Sequence, residues 1–332
     1  MPNATMRDVR VDSALTNLAV AYFQNPKKFI ANKVAPIVPV AKASGKFFVH
    51  SKADLMRDEA KRRAPGQRFA RTGAGVSTST YACEEFSLEY ALPDEIRANW
   101  DSPLAADQAA IRQLMQQLSI RRERAFVSAA LVGSTWGNDV AGHASTVDST
   151  HHVFFDNASA DIIGTLHDWT NTVEKNTGFR PNRFVTTPDV VRVMMNDADI
   201  LDRHKYTSSE PISLKAIANL CGIGSPEDPG EIVQMSASYN TAAENATASM
   251  SWMAGDVGLL MYAAPSPQID APSALYTFSW SDFDRAVAEA GAAAIDMYRE
   301  EQTKSDIYRG QAYFDVVVAA SDCGVYFSDL LT

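Results

Sequence analysis

The longest regular pattern of apolar and polar positions runs from residue 102 to residue 133. Apolar side chains recur there at helical spacing: Leu104, Ile111, Leu114, Met115, Leu118, Ala125, Phe126, Ala129 and Val132. Ser102 is a good N-cap, Pro103 suits the first helical position, and Gly133 provides a stop. The spacing predicts one helix of about 29 residues, roughly 43 Å long at 1.5 Å rise per residue. Its other face carries Gln108, Arg112, Gln113, Gln116, Arg121, Arg122, Glu123 and Arg124, too polar for a closed core. The seam loses heptad regularity after Leu118, which disfavours a coiled coil. The expected object is a rigid strut crossing a flat, extended protein.

Before this helix the pattern is irregular and then strand-like. Residues 1–40 hold short apolar pieces, and 29–40 read as an extended run with Pro36 and Pro39 at edge positions. Residues 41–92 read as a long hairpin. Lys46-Phe47-Phe48-Val49-His50 forms one strand. A second begins at Val76 and continues through Phe86, Leu88, Tyr90 and Leu92, which alternate with Glu85, Ser87, Glu89 and Ala91. The connection, 57–75, is far longer than a hairpin turn, and loops of that length tend to be functional. Two strands alone are only marginally stable in water, so the arm is expected to need partners.

After the helix, 133–148 is rich in Gly, Ser and Thr and reads as a loop. Helices and strands then alternate. Ser159 is the expected cap of a helix through Ile162, Leu166 and Val173 that stops at Gly178. Arg183 to Thr186 reads as a strand, Thr187 and Pro188 open a helix, and Ser213 caps another. Strands are expected at 231–235, 250–253 and 257–263, which makes an α/β layered unit. Two further strands, 293–301 and 308–320, follow.

Composition narrows the function classes. The 332 residues are 46% hydrophobic and 21% charged, an ordinary folded chain of about two domains. No apolar run approaches the ~18 residues of a membrane span, and the N-terminal residues lack a signal-peptide pattern. Three separated cysteines argue against a disulfide framework or a zinc site and for a reducing site of synthesis. A net charge of −10 disfavours an electrostatic nucleic-acid binder.

The charge is unevenly spread. Residues 42–71 carry +6, leaving −16 on the remainder. Lys61, Arg62, Arg63, Arg68 and Arg71 crowd the loop without an intervening anion. Glu84, Glu85 and Glu89, with Asp94 and Glu95, make the return strand acidic, and Asp282, Asp284 and Glu289 form a second acidic run. The expected site is an inter-subunit contact in which the basic tip of one copy meets an acidic surface of the next. A solvated loop and a nucleic-acid patch are the alternatives at this point.

Catalytic patterns are missing. The chain has no G-x-S-x-G elbow, phosphate-cradling P-loop, H-E-x-x-H or dinucleotide-binding glycine motif. His151 and His152, near Asp148 and Asp156, are adjacent on a strand and point to opposite faces, a poor arrangement for a shared ion. Cys83 sits beside Glu84 and Glu85, which raise a thiol's pKa and blunt it. No enzyme, cofactor or metal site is expected.

Several stretches together resemble a known family. They are 29–40, 46–49 followed by 57–66, 81–90, and 182–190 with 200–206. Their ordered set resembles the major capsid proteins of tailed bacteriophages, which have the Hong Kong 97 fold. The resemblance implies an α+β architecture with an N-terminal arm (1–40), an extended loop hairpin (41–95) and a peripheral domain with the long spine helix (96–154). An axial α/β domain (155–290) follows, and strands return to the peripheral domain with a C-terminal segment (291–332). It implies self-assembly into pentamers and hexamers of an icosahedral shell around double-stranded DNA, which is held without sequence preference. Implied partners are a portal, a decoration protein where the shell carries one, and a scaffolding protein. Because the sequence reaches the arm soon after Met1, that scaffold is expected to be a separate chain. The implied location is the virion capsid, assembled in the host bacterial cytoplasm and away from membranes. Some relatives join a loop lysine to a neighbour's asparagine; Lys52 and Lys61 are the lysines near this tip, and nothing marks a dedicated pair. An encapsulin shell shares the fold and is the first alternative, with a soluble α/β enzyme as the other.

Overall fold

The computed structural model describes residues 24–50, 52–73, 75–99, 106–205, 212–266, 272–281 and 294–332. The expected cap Ser102, Pro103, and the acidic run Asp282, Asp284 and Glu289 lie outside the described residues. In chain order the first elements are α1 (Ala31–Val34), β1 (Ile37–Val40), β2 (Ser44–His50), α2 (Lys52–Leu55), β3 (Val76–Ala82), β4 (Glu84–Pro93), α3 (Asp94–Asn99) and α4 (Ala106–Ala130). Then come β5 (Asn138–His143), β6 (His151–Val153), α5 (Ile162–Thr177), β7 (Arg183–Thr186), α6 (Pro188–Asn196), α7 (Ala198–Lys205) and α8 (Leu214–Leu220). The last are β8 (Glu231–Gln234), β9 (Ser238–Asn240), β10 (Met250–Trp252), β11 (Gly258–Met261), β12 (Leu275–Trp280), β13 (Ala294–Glu300), β14 (Ser305–Val318) and β15 (Gly324–Ser328).

Two sheets organise these elements. In the first, the long strand β14 is central: β4 pairs antiparallel along one flank, and β13 then β12 along the other. β1 adds parallel to β12. The second sheet has the order β6-β5-β15-β11-β7-β8. Its residues alternate between two cores. Val185, Leu259, Met261 and Tyr326 face the cluster shared with α4 and the first sheet. Phe184, Leu260, Val325 and Phe327 face the cluster under α5, α6 and α8. Burial on both faces explains the continuous apolar runs of β11 and β15.

The long helix α4 has 25 residues, about 37 Å, and its seam of Ala110, Leu114, Leu118 and Phe126 is buried. Gly310 of β14 lets it approach closely: a Cβ there would lie 2.9 Å from Leu118 Cδ1. Val132, counted in the expected seam, lies past the helix end and is exposed. Arg122 and Glu123 overturn the expected polar face, since both are buried. Glu123 accepts N–H bonds from Ile30 (3.1 Å) and Ala31 (3.0 Å), which open α1. Arg122 donates to Asn32 Oδ1 at 3.2 Å and lies over the Phe314 ring. The arm crosses the helix here, and its otherwise unpaired amides require a buried acceptor.

Other expectations change for local reasons. The run 29–40 is not uniformly extended, because Ala31–Val34 forms one helical turn. The predicted loop 133–148 contains β5, paired parallel to β15 and β6, so 138–153 belong to the second sheet. β12 belongs to the first sheet rather than to the α/β unit, whereas β15 joins the second sheet, in keeping with a final segment expected to close against the α/β unit. Asp161, not Ser159, caps α5 through its bond to the Gly164 N–H at 2.8 Å. Gly178 ends that helix in the left-handed region, φ 78°, as its position predicted.

Candidate assembly surface

The hairpin arm is β2 paired antiparallel with β3, in register from Ser44–Ala82 to His50–Val76. Alternation puts Phe47 and Tyr81 on the Phe278 ring, with centroids 5.4 and 4.6 Å away, while Phe48 is left in solvent. The return strand is not continuous. Pairing passes from β2 to β14 at Cys83, whose Sγ reaches the Phe278 carbonyl at 3.5 Å. Ala82 N–H donates to Asp315 at 2.9 Å and holds the change of partner. The hairpin therefore ends at Ala82, and Glu84, Glu85 and Glu89 lie on a strand of the first sheet. Burial and then Asp315 push the Cys83 thiol up to about 11, in place of the glutamate effect expected from sequence.

Beyond α2 the chain runs without regular structure to Gly73 except for a turn at Pro65–Gly66. The anions at its base are already engaged: Asp54 and Glu59 pair with Arg57, and Asp58 accepts from the Ala60 N–H. Lys61, Arg62, Arg63, Arg68 and Arg71 are all exposed. Among the described residues none of these five has an ion-pair partner. Lys52 pairs with Asp322, which fixes the base of the loop beside the start of β15.

Glu84, Glu85 and Glu89 are exposed on β4. Glu89 accepts from the Tyr298 hydroxyl at 3.4 Å, and none of the three is in an ion pair among the described residues. The basic tip and the acidic strand are thus both presented, but the chain does not bring them together. Asp94 differs, because Arg299 holds it in a two-point ion pair and pulls its carboxyl below the usual range. It belongs to a network in which Arg97 and Arg299 share Asp306, and Arg97 and the Tyr308 hydroxyl share Asp107. That network ties α3, the first turn of α4 and the β13–β14 hairpin together.

The histidine pair behaves as alternation predicts. His152 is fully buried against Phe155 and Phe327, and burial pushes its pKa down to about 4. His151, half-exposed, contacts Asp148 at 3.0 Å. Sequence reasoning missed Glu123 altogether, although a carboxylate within the apolar stretch of a long helix was the available signal. Burial raises its pKa to about 7 against the opposing pull of two backbone amides.

No protein-family model matches the chain, and no curated protein matches it. Solved structures do. A phage-related protein from Bordetella bronchiseptica RB50 aligns with a TM-score of 0.67 at 20% identity, over 92% of this chain and 94% of that one. The capsid of cyanophage P-SCSP1u aligns with a TM-score of 0.59 at 11% identity, over 99% and 96%. The encapsulin complex of Synechococcus elongatus PCC 7942 aligns with a TM-score of 0.54 at 11% identity, over 97% and 96%. Aligned with these structures along more than nine-tenths of its length, the chain has the Hong Kong 97-type α+β fold.

Proposed function

We propose that this chain is the major capsid protein of a tailed double-stranded DNA bacteriophage, a non-enzymatic subunit that self-assembles into pentamers and hexamers of an icosahedral shell. The observation that carries the reading is the likeness to a cyanophage capsid along 99% of this chain. Supporting it is the exposed basic tip, which suits a neighbouring copy better than its own body. In this reading the second sheet with α5, α6 and α8 is the axial domain, and the first sheet with α4 is the peripheral domain. A portal, a scaffold and the packaged genome are its partners in the virion.

The encapsulin likeness supports a second reading, a protein compartment with enzyme cargo. Electron microscopy of particles purified from an infected or induced host separates the two. Large DNA-filled shells support the capsid reading, whereas small cargo-filled shells without DNA support the compartment. Discrete oligomers as the sole product would overturn both.

A further inference from the structure

We propose that Glu123 and the first turn of the N-terminal stretch form a proton-linked strap: α1 stays seated on α4 while the carboxyl holds a proton, and loosens once it ionises. The inference goes beyond the shell reading and stands on contacts within one chain.

The geometry makes α1 depend on this one side chain. With four residues it is too short to persist by itself, and its N-cap residue, Ile30, supplies no side-chain acceptor. The acceptor comes from α4 instead. Glu123 Oε2 takes the Ile30 N–H at 3.1 Å and the Ala31 N–H at 3.0 Å, while Oε1 lies 3.2 Å from the Ile30 nitrogen. A proton on Oε1 therefore leaves both amides satisfied by Oε2. Ile30, Ala31, Val34, Ala35 and Phe126 are all buried here, and Glu123 itself has no exposed surface. An ionised carboxylate in this apolar seam is costly.

The charges nearby are placed elsewhere. On α4, Arg121 and Arg124 lie over the Phe86 and Tyr239 rings, and Arg122 donates to Asn32 and lies over Phe314. Burial pushes the Arg122 pKa down to about 10, so it keeps its charge through neutral pH. Lys33 of α1 pairs with Glu231 of β8. On β14, Asp315 accepts from the Ala82 N–H and Arg309 pairs with Asp296. Glu84, Glu85 and Glu89 of β4 are exposed. What sets the Glu123 carboxyl is burial, opposed by the two amides, and the balance lies at about 7.

Undocking returns the carboxyl to water and to its ordinary 4.5, so between those values it releases one proton to solvent. The seated form is favoured fully below pH 4.5 and progressively less up to 7. The ends of the strap are held independently. Gln24 accepts from the Ser238 N–H at 3.2 Å, and β1 is laddered to β12 over Ile37–Val40. The stretch between them therefore slackens rather than coming away.

Hydrogen exchange with mass spectrometry on the purified full chain reads residues 29–35 between pH 5 and 8, corrected for the intrinsic pH dependence of amide exchange. Protection there should fall at least about tenfold from pH 5 to 7 and level off above, while β11 keeps its protection. Glu123→Gln accepts the same bonds and cannot ionise, so its protection over 29–35 should stay flat. Wild-type protection that ignores pH overturns the strap, as does a fall shared equally by β11, which reports loosening of the whole fold. A tenfold fall that persists in Glu123→Gln assigns the proton to another group and overturns it too. Should Glu123→Gln fail to fold, the wild-type contrast between 29–35 and β11 decides alone.

Discussion

Glu123 and His152 are ionisable groups folded into places where charge is costly, and they act on stability in opposite directions. The Glu123 carboxyl titrates near 7 in the fold against an ordinary 4.5, because burial outweighs its bonds to Ile30 and Ala31. Between those values the folded protein holds a proton that the unfolded chain has released. Its contribution is therefore complete below about pH 4.5 and is lost as pH rises to 7, by up to about 3 kcal/mol. Glu123→Gln should flatten that part of the curve, as thermal unfolding from pH 5 to 8 would record; an unchanged slope refutes the assignment. His152 titrates near 4 against 6.5, so its contribution is complete above 6.5 and is lost as pH falls to 4. Neither ring nitrogen has a hydrogen-bond partner among the described residues, so His152→Phe, which removes both the buried polar atoms and the titration, should raise stability at pH 8 and by about 2 kcal/mol more at pH 5. A loss at both pH values would mean the aromatic site cannot accept the larger ring.

Among the elements, the arm is where charge and geometry meet. Replacing Arg62, Arg63 and Arg68 together by glutamate removes no buried contact, since all three side chains lie in solvent. Circular dichroism should match the parent, while sedimentation should show assembly lost or misdirected; normal yields of normal shells refute an electrostatic role for the tip. Exposed pairs contribute only about 0.2–1 kcal/mol each, so in the proposed shell it would be their repetition that made them decisive. Elements also reveal what a linear pattern can carry. The long helix, Gly178 and the Thr187-Pro188 start were legible because caps and periodicity are local. The break at Cys83 was not, because alternation continues through it while the pairing partner changes from β2 to β14. β5 was hidden in a small-residue stretch, where Gly142 leaves no room for a Cβ beside Phe154 and the Asp329 carbonyl. The basic and acidic site residues were readable as charge runs. The turn from Ala64 to Gln67, which sets Arg63 over the Phe69 ring, exists only once the chain is folded.

At the scale of the whole molecule the charge division sets how a shell would treat nucleic acid. Outside 42–71 the chain carries −16, so an assembled interior would confine DNA rather than bind it. Purified subunits at ~150 mM salt should bind duplex DNA no tighter than ordinary non-specific contacts, about 10⁻⁴–10⁻⁶ M; sub-micromolar binding in a fluorescence titration would refute this. Fastening is equally distributed. The stretch from Gln24 to Val40 bonds to Ser238, Glu123, Glu231 and β12, so one short segment ties both sheets to the long helix.

The placement of β14 and β15 has a consequence for the timing of synthesis. The first sheet closes on residues 305–318 and the second on 324–328, so β4 and β5 wait for strands made far later. At roughly 5–20 residues per second, tens of seconds separate a strand's appearance at the ribosome from that of its partner. During that interval neither sheet has its central strand, and the nascent chain cannot present a finished surface to a neighbour. Ribosome-bound chains of which only residues before 305 have emerged should stay protease-sensitive throughout, and chains fused to a C-terminal linker long enough for residue 328 to emerge should become resistant in one step. If the proposed shell role holds, subunits would reach the assembling pool only as finished pieces.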